Sequence, residues 1–377
     1  MDHLTLRNAI VASNVGSGCA GNVVDGGHDL SYGNTSCPGG NGNPELAPLR
    51  NYGGPTSTLA LMPGSAAIDR VPAHHGGCPA TDQRGVRRPR GKGCDIGAFE
   101  FATPKVEILS PHGGAYYGLR EDKLVRFRCS EGGIVSTIAT CRGAIPYGHR
   151  IGTRSTGLKR FTVTATDKAG NKRTKTVQYK VLPYTDPLKA VRGLVPGRID
   201  MGVDYGGHGR ILALGDGTVK LARDDDAGWP DGGWVMYRLS DGPFAGKYVY
   251  DAENITVTVR AGQRVNAGQQ IAILHPAYPY METGWAAGKG DKSLADVDGH
   301  RCPCGDPGGW STIEGRNFDR LLVVLGAPSG YLQPDVPRQS MPPGWPRLHY
   351  PASADAIPQS LTPLWEGWTE QLPGRRS

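Results

Sequence analysis

Short stretches in which apolar and polar residues alternate run through most of the chain. Phe161, Val163 and Ala165 alternate with polar residues; D-K-A-G-N follows at 167–171, and a second alternating stretch covers 172–181. Strict alternation predicts half-buried β-strands, and Gly and Asn between two such strands favour a tight hairpin turn. The pattern predicts a mainly β protein.

A helical pattern stands out at residues 314–328, where an amphipathic stretch ends at Gly326 with Pro328 beyond it.

The chain has 377 residues, of which 56 are Gly and 30 are Pro, a composition that excludes a helical bundle. The length predicts two or three domains. No apolar run reaches the roughly 18 residues that a membrane helix needs.

Residues 1–101 contain short apolar stretches between Gly-, Asn- and Asp-rich turns, as in a solenoid of β-coils. A-L-M-P-G-S-A-A-I-D occurs at 60–69, and D-Q-R-G-V-R-R-P is followed by C-D-I-G-A-F-E within 78–101. These motifs resemble the terminal segment of right-handed parallel β-helix surface proteins. The resemblance implies that residues 1–101 are the last coils and cap of such a helix.

A solenoid exposes an apolar end that must be capped. We expect a buried group of charged residues at this cap, formed by Asp82, Arg84, Arg88 and Asp95. We interpret these carboxylates as structural, because a closing coil lies at the end of a substrate groove and not inside it.

Residues 102–182 are basic, with 15 Lys and Arg residues against 5 Asp and Glu. The string F-T-V-T-A-T-D-K-A-G-N resembles bacterial immunoglobulin-like repeats of surface proteins, which implies a β-sandwich that acts as a spacer or adhesion unit. The positive field predicts contact with anionic polymers. The alternative is a solvated surface that keeps the module soluble. No interleaved aromatic pattern indicates nucleic-acid binding.

After a linker at 183–190, residues 191–335 combine short strands with hairpin glycines. V-R-A-G-Q-R-V-N-A-G-Q-Q-I-A-I-L at 259–274 resembles the duplicated hybrid motif of lysostaphin-type peptidoglycan endopeptidases. The resemblance covers about 196–287 and implies a barrel-sandwich hybrid β-domain with one short helix. Residues 336–377 form a Pro-rich tail.

The zinc ligands of that family are a His and an Asp in H-x-x-x-D and the second His of H-x-H, and water takes the fourth position. In this chain Asp204 matches the family's Asp, but Asp200 stands in place of the His. The closing strand reads M-E-T-G-W at 281–285, and H-x-H is absent from the chain. The resemblance therefore implies a degenerate peptidase-like domain.

Carboxylates are the candidate replacement for the missing ligands. A carboxylate cluster suits Ca²⁺ or Mg²⁺, whereas Asp200 and Asp204 alone keep part of a zinc set. Paired carboxylates also perform glycoside-type acid–base chemistry. The alternative is that they are solvated or paired with Arg198 or Arg238. The candidate catalytic or cation-binding residues are Asp200, Asp204, Glu253 and Glu282.

Aromatic residues of the same segment are candidates for a glycan-binding groove, because aromatic faces contact sugar rings well. The alternative is that they belong to the core. These residues are Trp234, Tyr237, Tyr250 and Trp285.

Cysteines occur in close pairs, which predicts the disulfides Cys19–Cys37, Cys78–Cys94 and Cys129–Cys141 in an oxidising compartment. Free buried thiols are the alternative. Cys302 and Cys304 are separated only by Pro303, a spacing that favours a loop disulfide or free thiols. A metal site with the nearby His300 and Asp306 is the alternative.

These observations favour an exported bacterial cell-surface or envelope protein whose last domain binds cell-wall glycan without cutting it. No secretion leader follows Met1, so we expect an N-terminally incomplete chain. One alternative is a divergent peptidoglycan metallohydrolase. Another is the C-terminal part of a polysaccharide-active β-helix enzyme.

Overall fold

The computed structural model describes residues 3–33, 35–73, 77–130, 137–224, 232–276, 280–301, 310–333 and 337–347. The predicted mainly β architecture is confirmed in these residues. The strands of the first half are β1 (Leu4–Leu6), β2 (Ile10–Ala12), β3 (Val23–Asp25), β4 (Leu30–Tyr32), β5 (Gly40–Asn41), β6 (Val71–Pro72), β7 (Gly93–Cys94), β8 (Lys105–Ser110), β9 (Tyr116–Tyr117), β10 (Arg126–Ser130), β11 (Ile138–Gly143), β12 (Gly157–Asp167) and β13 (Lys172–Val181).

The second half holds longer strands and the helices. Its elements are β14 (Val191–Ile199), β15 (Val203–Leu212), β16 (Gly217–Arg223), β17 (Trp234–Leu239), β18 (Tyr248–Ala252), β19 (Ile255–Val257), β20 (Arg264–Val265), β21 (Gln270–Leu274), β22 (Met281–Ala286), α1 (Leu294–Val297), α2 (Ile313–Leu325) and β23 (Tyr331–Leu332). No described helix is long and apolar enough to cross a membrane.

The chain divides into two compact units. The first comprises residues 1–113, 122–152 and 159–179, and the second comprises 114–121, 153–158 and 180–377.

The beginning of the first unit is built from short parallel strands. β1 pairs with β3, and β2, β4 and β5 form a three-stranded sheet, all in parallel register. Apolar side chains of successive turns fill the interior, among them Leu30, Tyr52, Leu61 and Phe99.

Buried ion pairs lie among residues 82–100. Arg84 pairs with Asp82 at 2.8 Å, and Arg88 lies 3.3 Å from a Glu100 carboxylate oxygen. Asp95 accepts a hydrogen bond from the backbone of Asp69. Glu100, the last residue of the motif C-D-I-G-A-F-E, contacts all four predicted cap residues, although it was not among the charged residues predicted there.

The three predicted disulfides Cys19–Cys37, Cys78–Cys94 and Cys129–Cys141 are present, all within the first unit. Such bonds are typical of an oxidising compartment. Cys302 and Cys304 lie outside the described residues.

β6 pairs with β7, and the strands of the first unit after residue 101 form two further sheets. β8 pairs with β10, and β11, β12 and β13 are neighbours in the other sheet. The rings of Phe127 and Phe161, one from each sheet, have centroids 6.1 Å apart. The turn between β12 and β13 is closed by Asp167, which accepts from the backbone of Asn171, and Gly170 takes a φ of 93° there.

One ten-stranded sheet, curled into a half-barrel, dominates the second unit. The main path runs β19-β21-β15-β22-β18-β17-β16-β20, and β14 pairs with β15 and β23. Alternate side chains of β15, β18 and β22 face an interior core that includes Val203, Tyr205, Val249, Met281 and Trp285.

Helix α2 covers this core with its apolar face. Phe318 contacts Trp285 edge to face at a centroid distance of 4.9 Å. Thr312 is the N-cap, and Gly326 ends the helix with a φ of 110°, a left-handed conformation that glycine adopts without steric cost. The predicted end at Gly326 is confirmed. The one-turn helix α1 was not predicted, because a single turn has no apolar periodicity.

The start of the predicted Pro-rich tail packs on the second unit. The Trp345 ring lies 5.3 Å from that of Trp285, and the Lys247 ammonium group lies 4.4 Å from the centroid of the Trp345 ring. Residues 348–377 of that tail lie outside the described residues.

Candidate functional site

Three predicted carboxylates converge at one place in the second unit. Asp200, Asp204 and Glu282 each offer an oxygen that lies within 4.8 Å of the other two. Asp204 on β15 is directly opposite Glu282 on β22, and opposed residues of an antiparallel pair share one face of the sheet. Asp200 lies in the connection between β14 and β15. We call these three residues the acidic cluster.

Arg198 already occupies the acidic cluster. Its Nε atom lies 2.9 Å from an oxygen of Asp200 and 2.9 Å from an oxygen of Asp204. Because all three side chains are largely buried, water screens this attraction less than on an open surface. The predicted alternative of an Arg198 ion pair is thus present, whereas Arg238 donates to the backbone of Gly246 instead.

Glu282 is the most buried member of the cluster. Burial raises the pKa of Glu282 well above its usual range, and repulsion from Asp200 and Asp204 raises it further. The Tyr250 hydroxyl donates a hydrogen bond to Oε1 of Glu282. Burial and this repulsion favour the neutral form of the Glu282 carboxyl, whereas the hydrogen bond from Tyr250 favours its charged form.

The connection that carries Asp200 is held by residues at the start of α2. The Ser311 hydroxyl donates to the carbonyl of Ile199 at 2.6 Å, and the Thr312 hydroxyl donates to the carbonyl of Asp200 at 2.7 Å. Gly202 allows the close packing, because a Cβ there would lie 2.8 Å from Oε1 of Glu282. Ser311 and Thr312 were not predicted as site residues, although a Thr just before a helical stretch is an N-cap signal.

The acidic cluster does not fit zinc. Structural and catalytic zinc sites draw on His or Cys ligands, and the cluster contains neither among the described residues. Two histidines of this unit are engaged elsewhere. His275 contacts the Thr256 hydroxyl, and His300 contacts Glu314. A guanidinium group between two of the carboxylates also repels any cation.

Glu253, the fourth predicted carboxylate, follows β18 with a φ of 62°. Its charge contributes to raising the pKa of Glu282, but it is not a member of the acidic cluster.

All four predicted glycan-binding aromatic residues are fully buried. Trp234 and Tyr250 stack with centroids 4.7 Å apart, the Tyr237 hydroxyl accepts from the backbone of Leu214, and the Trp285 indole donates to Asn317. These positions correspond to the core alternative. Glycan contact by these rings stays a prediction, and it would require the sheet face to open.

No protein-family model and no curated protein matches the chain. Among solved structures, a zinc-containing peptidase from Vibrio cholerae is similar over 34% of this chain and 46% of its own, with 17% identity and a TM-score of 0.20. The chain thus spans less than half the length of that peptidase. A TM-score this low does not establish a shared fold.

Proposed function

We propose that the chain belongs to an exported bacterial envelope protein whose last domain binds cell-wall glycan without cutting it. In this proposal residues 191–335 keep the lysostaphin-type framework and have lost its zinc chemistry. The observation that carries the proposal is the guanidinium group of Arg198 between Asp200 and Asp204.

The physical argument rests on charge. Arginine stays protonated at any physiological pH, so Arg198 is a permanent cation inside the acidic cluster. The two aspartates and Arg198 together carry one negative charge, and burial opposes ionisation of Glu282. A divalent ion would have to displace the guanidinium group. Without a bound metal, no metal-activated water is available for peptide hydrolysis.

Export and the upstream domains have separate support. Three disulfides within the first unit favour an oxidising compartment. Short parallel strands at the start of the unit, and the two facing sheets that follow, support the β-helix end and the immunoglobulin-like module. The basic character of residues 102–182 supports contact with anionic envelope polymers.

A divergent peptidoglycan metallohydrolase is the second candidate. The convergence of Asp200, Asp204 and Glu282 within 4.8 Å favours it, because three carboxylate oxygens suit a hard cation such as Ca²⁺. The two candidates differ in whether wall cleavage depends on Asp204 and on a metal.

The test uses the whole chain with purified peptidoglycan. We expect sedimentation with the walls and no release of soluble wall fragments, with or without a chelator. Asp204→Asn serves as the variant that disables the acidic cluster. Chelator-sensitive release that Asp204→Asn abolishes would establish the metallohydrolase, and failure to sediment would overturn wall binding.

A second measurement isolates Arg198. Arg198→Gln removes the internal cation, so we expect Ca²⁺ to raise the melting temperature of this variant but not of the unaltered chain. At a free Ca²⁺ concentration of a hundred times Kd, we expect the free energy of unfolding of this variant to rise by about 2.7 kcal/mol. Arg192→Gln, on the same strand, is the matched control and should show no response. A Ca²⁺ response of the unaltered chain that Asp204→Asn removes would show that Arg198 does not block the cluster.

A further inference from the structure

A second group of metal-ligating side chains lies outside the acidic cluster. Asp298, His300 and Glu314 each offer one ligand atom, and these atoms lie within 4.8 Å of one another. Asp298 and His300 lie in residues 298–301, which we call the loop after α1, and Glu314 belongs to the first turn of α2.

Glu314 supplies an independent sign of a missing ligand. Its side chain is fully buried, and its Oε1 atom lies 2.7 Å from Nδ1 of His300. Its other oxygen, Oε2, is buried and has no hydrogen-bond partner among the residues that the structure describes. A buried acceptor left unpaired destabilises the folded chain, and more so when it is charged. A cation bound beside His300 would satisfy this oxygen.

The loop that carries His300 is held in place by its backbone. The carbonyl of His300 accepts from the Trp310 indole at 2.7 Å and from the Gln339 amide at 3.2 Å. Gln339 also accepts from the backbone of Ile313, so one side chain links this loop to the start of α2. The imidazole is therefore presented to Glu314 by a fixed backbone, as ligands of a preorganised metal site are.

The donor set identifies the class of ion. One imidazole nitrogen and two carboxylate oxygens suit zinc, and the imidazole disfavours Ca²⁺ and Mg²⁺, which take oxygen ligands. The two carboxylates balance the double positive charge. His300 is partly exposed and Asp298 is exposed, so an ion and a completing water molecule have access.

We propose that Asp298, His300 and Glu314 bind a zinc ion that fastens the loop after α1 to the first turn of α2. This site has no part in the proposed wall binding and does not depend on it. The competing explanation is a plain hydrogen bond between His300 and a protonated Glu314.

The experiment measures zinc binding to the whole chain by equilibrium dialysis and elemental analysis, after chelator treatment and alkylation of free thiols. We expect one zinc ion per chain. His300→Ala and Glu314→Gln should weaken binding by at least about tenfold. The control His275→Ala, which removes another histidine of the same unit, should bind as the unaltered chain does. Glu314→Gln keeps the shape of the side chain, and its tryptophan fluorescence verifies the fold.

Three results would overturn the site: no stoichiometric zinc in the unaltered chain, equal affinity in His300→Ala and Glu314→Gln, or loss of binding on thiol alkylation alone. Asp204→Asn separates this proposal from the previous one. Zinc lost in Asp204→Asn and kept in His300→Ala would belong to the acidic cluster, so it would refute the His300 site and revive the metallohydrolase.

Discussion

Asp251 is a carboxyl group enclosed within the sheet of the second unit. It lies on β18 opposite Val235 and Thr283, and it is 1% exposed. Burial raises the pKa of Asp251 to about 7, and the neighbouring Thr283 hydroxyl lowers it only in part. Asp251 is therefore a carboxyl group in a core strand position, and its burial favours the neutral form in the folded chain.

The stability of the second unit should consequently fall as pH rises. Because the pKa of Asp251 is higher in the folded chain than in the unfolded one, its contribution is fully present below about pH 4 and is lost as pH rises through about 7. The shift corresponds to about 4 kcal/mol at the rate of 1.36 kcal/mol per pKa unit. Asp251→Asn should flatten this dependence.

Urea unfolding followed by tryptophan fluorescence measures the pH dependence of the stability of the second unit, because all seven tryptophans belong to that unit. Asp291→Asn, at a half-buried position, is the control and should keep the slope. An unchanged slope in Asp251→Asn would contradict the assignment.

Helix α2 links its own stability to the geometry of the acidic cluster. The Thr312 hydroxyl accepts from the backbone of Gly315 at 3.1 Å as an N-cap and donates to the carbonyl of Asp200. One side chain thereby starts the helix and fixes the connection between β14 and β15.

Thr312→Ala removes both hydrogen bonds, so we expect a loss of about 1–2 kcal/mol in the free energy of unfolding of the second unit. Thr312→Ser keeps the hydroxyl and should recover most of this loss. The comparison is made by thermal unfolding. Equal losses in the two variants would mean that the methyl group, and not the hydroxyl, stabilises the helix start.

At the scale of the whole molecule, the covalent cross-links among the described residues all lie in the first unit. The three disulfides span 18, 16 and 12 residues of sequence, and their cysteines all belong to that unit. Loops of this size are worth about 3 kcal/mol each in the chain-entropy account. The second unit relies instead on one large apolar core.

Reduction should therefore act on the first unit alone. The test uses a Cys302→Ser, Cys304→Ser variant. Dithiothreitol should lower the melting temperature of the first unit, detected by circular dichroism. It should leave the melting temperature of the second unit, detected by tryptophan fluorescence, unchanged. Oxidised dithiothreitol is the control reagent. A shift of the tryptophan-detected transition would show that the second unit also depends on the disulfides.

Local patterns in the sequence predicted much of this protein. Alternation predicted the mainly β fold, close cysteine spacing predicted three disulfides, and Gly326 predicted the end of α2, because each depends on residues that are near one another in sequence. The absence of H-x-H and the Asp at position 200 predicted a site without the histidines of the lysostaphin-type family, and this stays a prediction. The assignments to particular domain families stay predictions.

Only the tertiary structure decided which distant groups meet. Glu282 reaches Asp204 through strand pairing across the sheet, and Glu314 reaches His300 because α2 folds back on the loop after α1. The same packing buried Trp234 and Tyr250, which sequence alone could equally place on a groove. Side-chain type and spacing specify strands, turns and candidate ligands, whereas burial and charge environment arise only when elements far apart in sequence pack together.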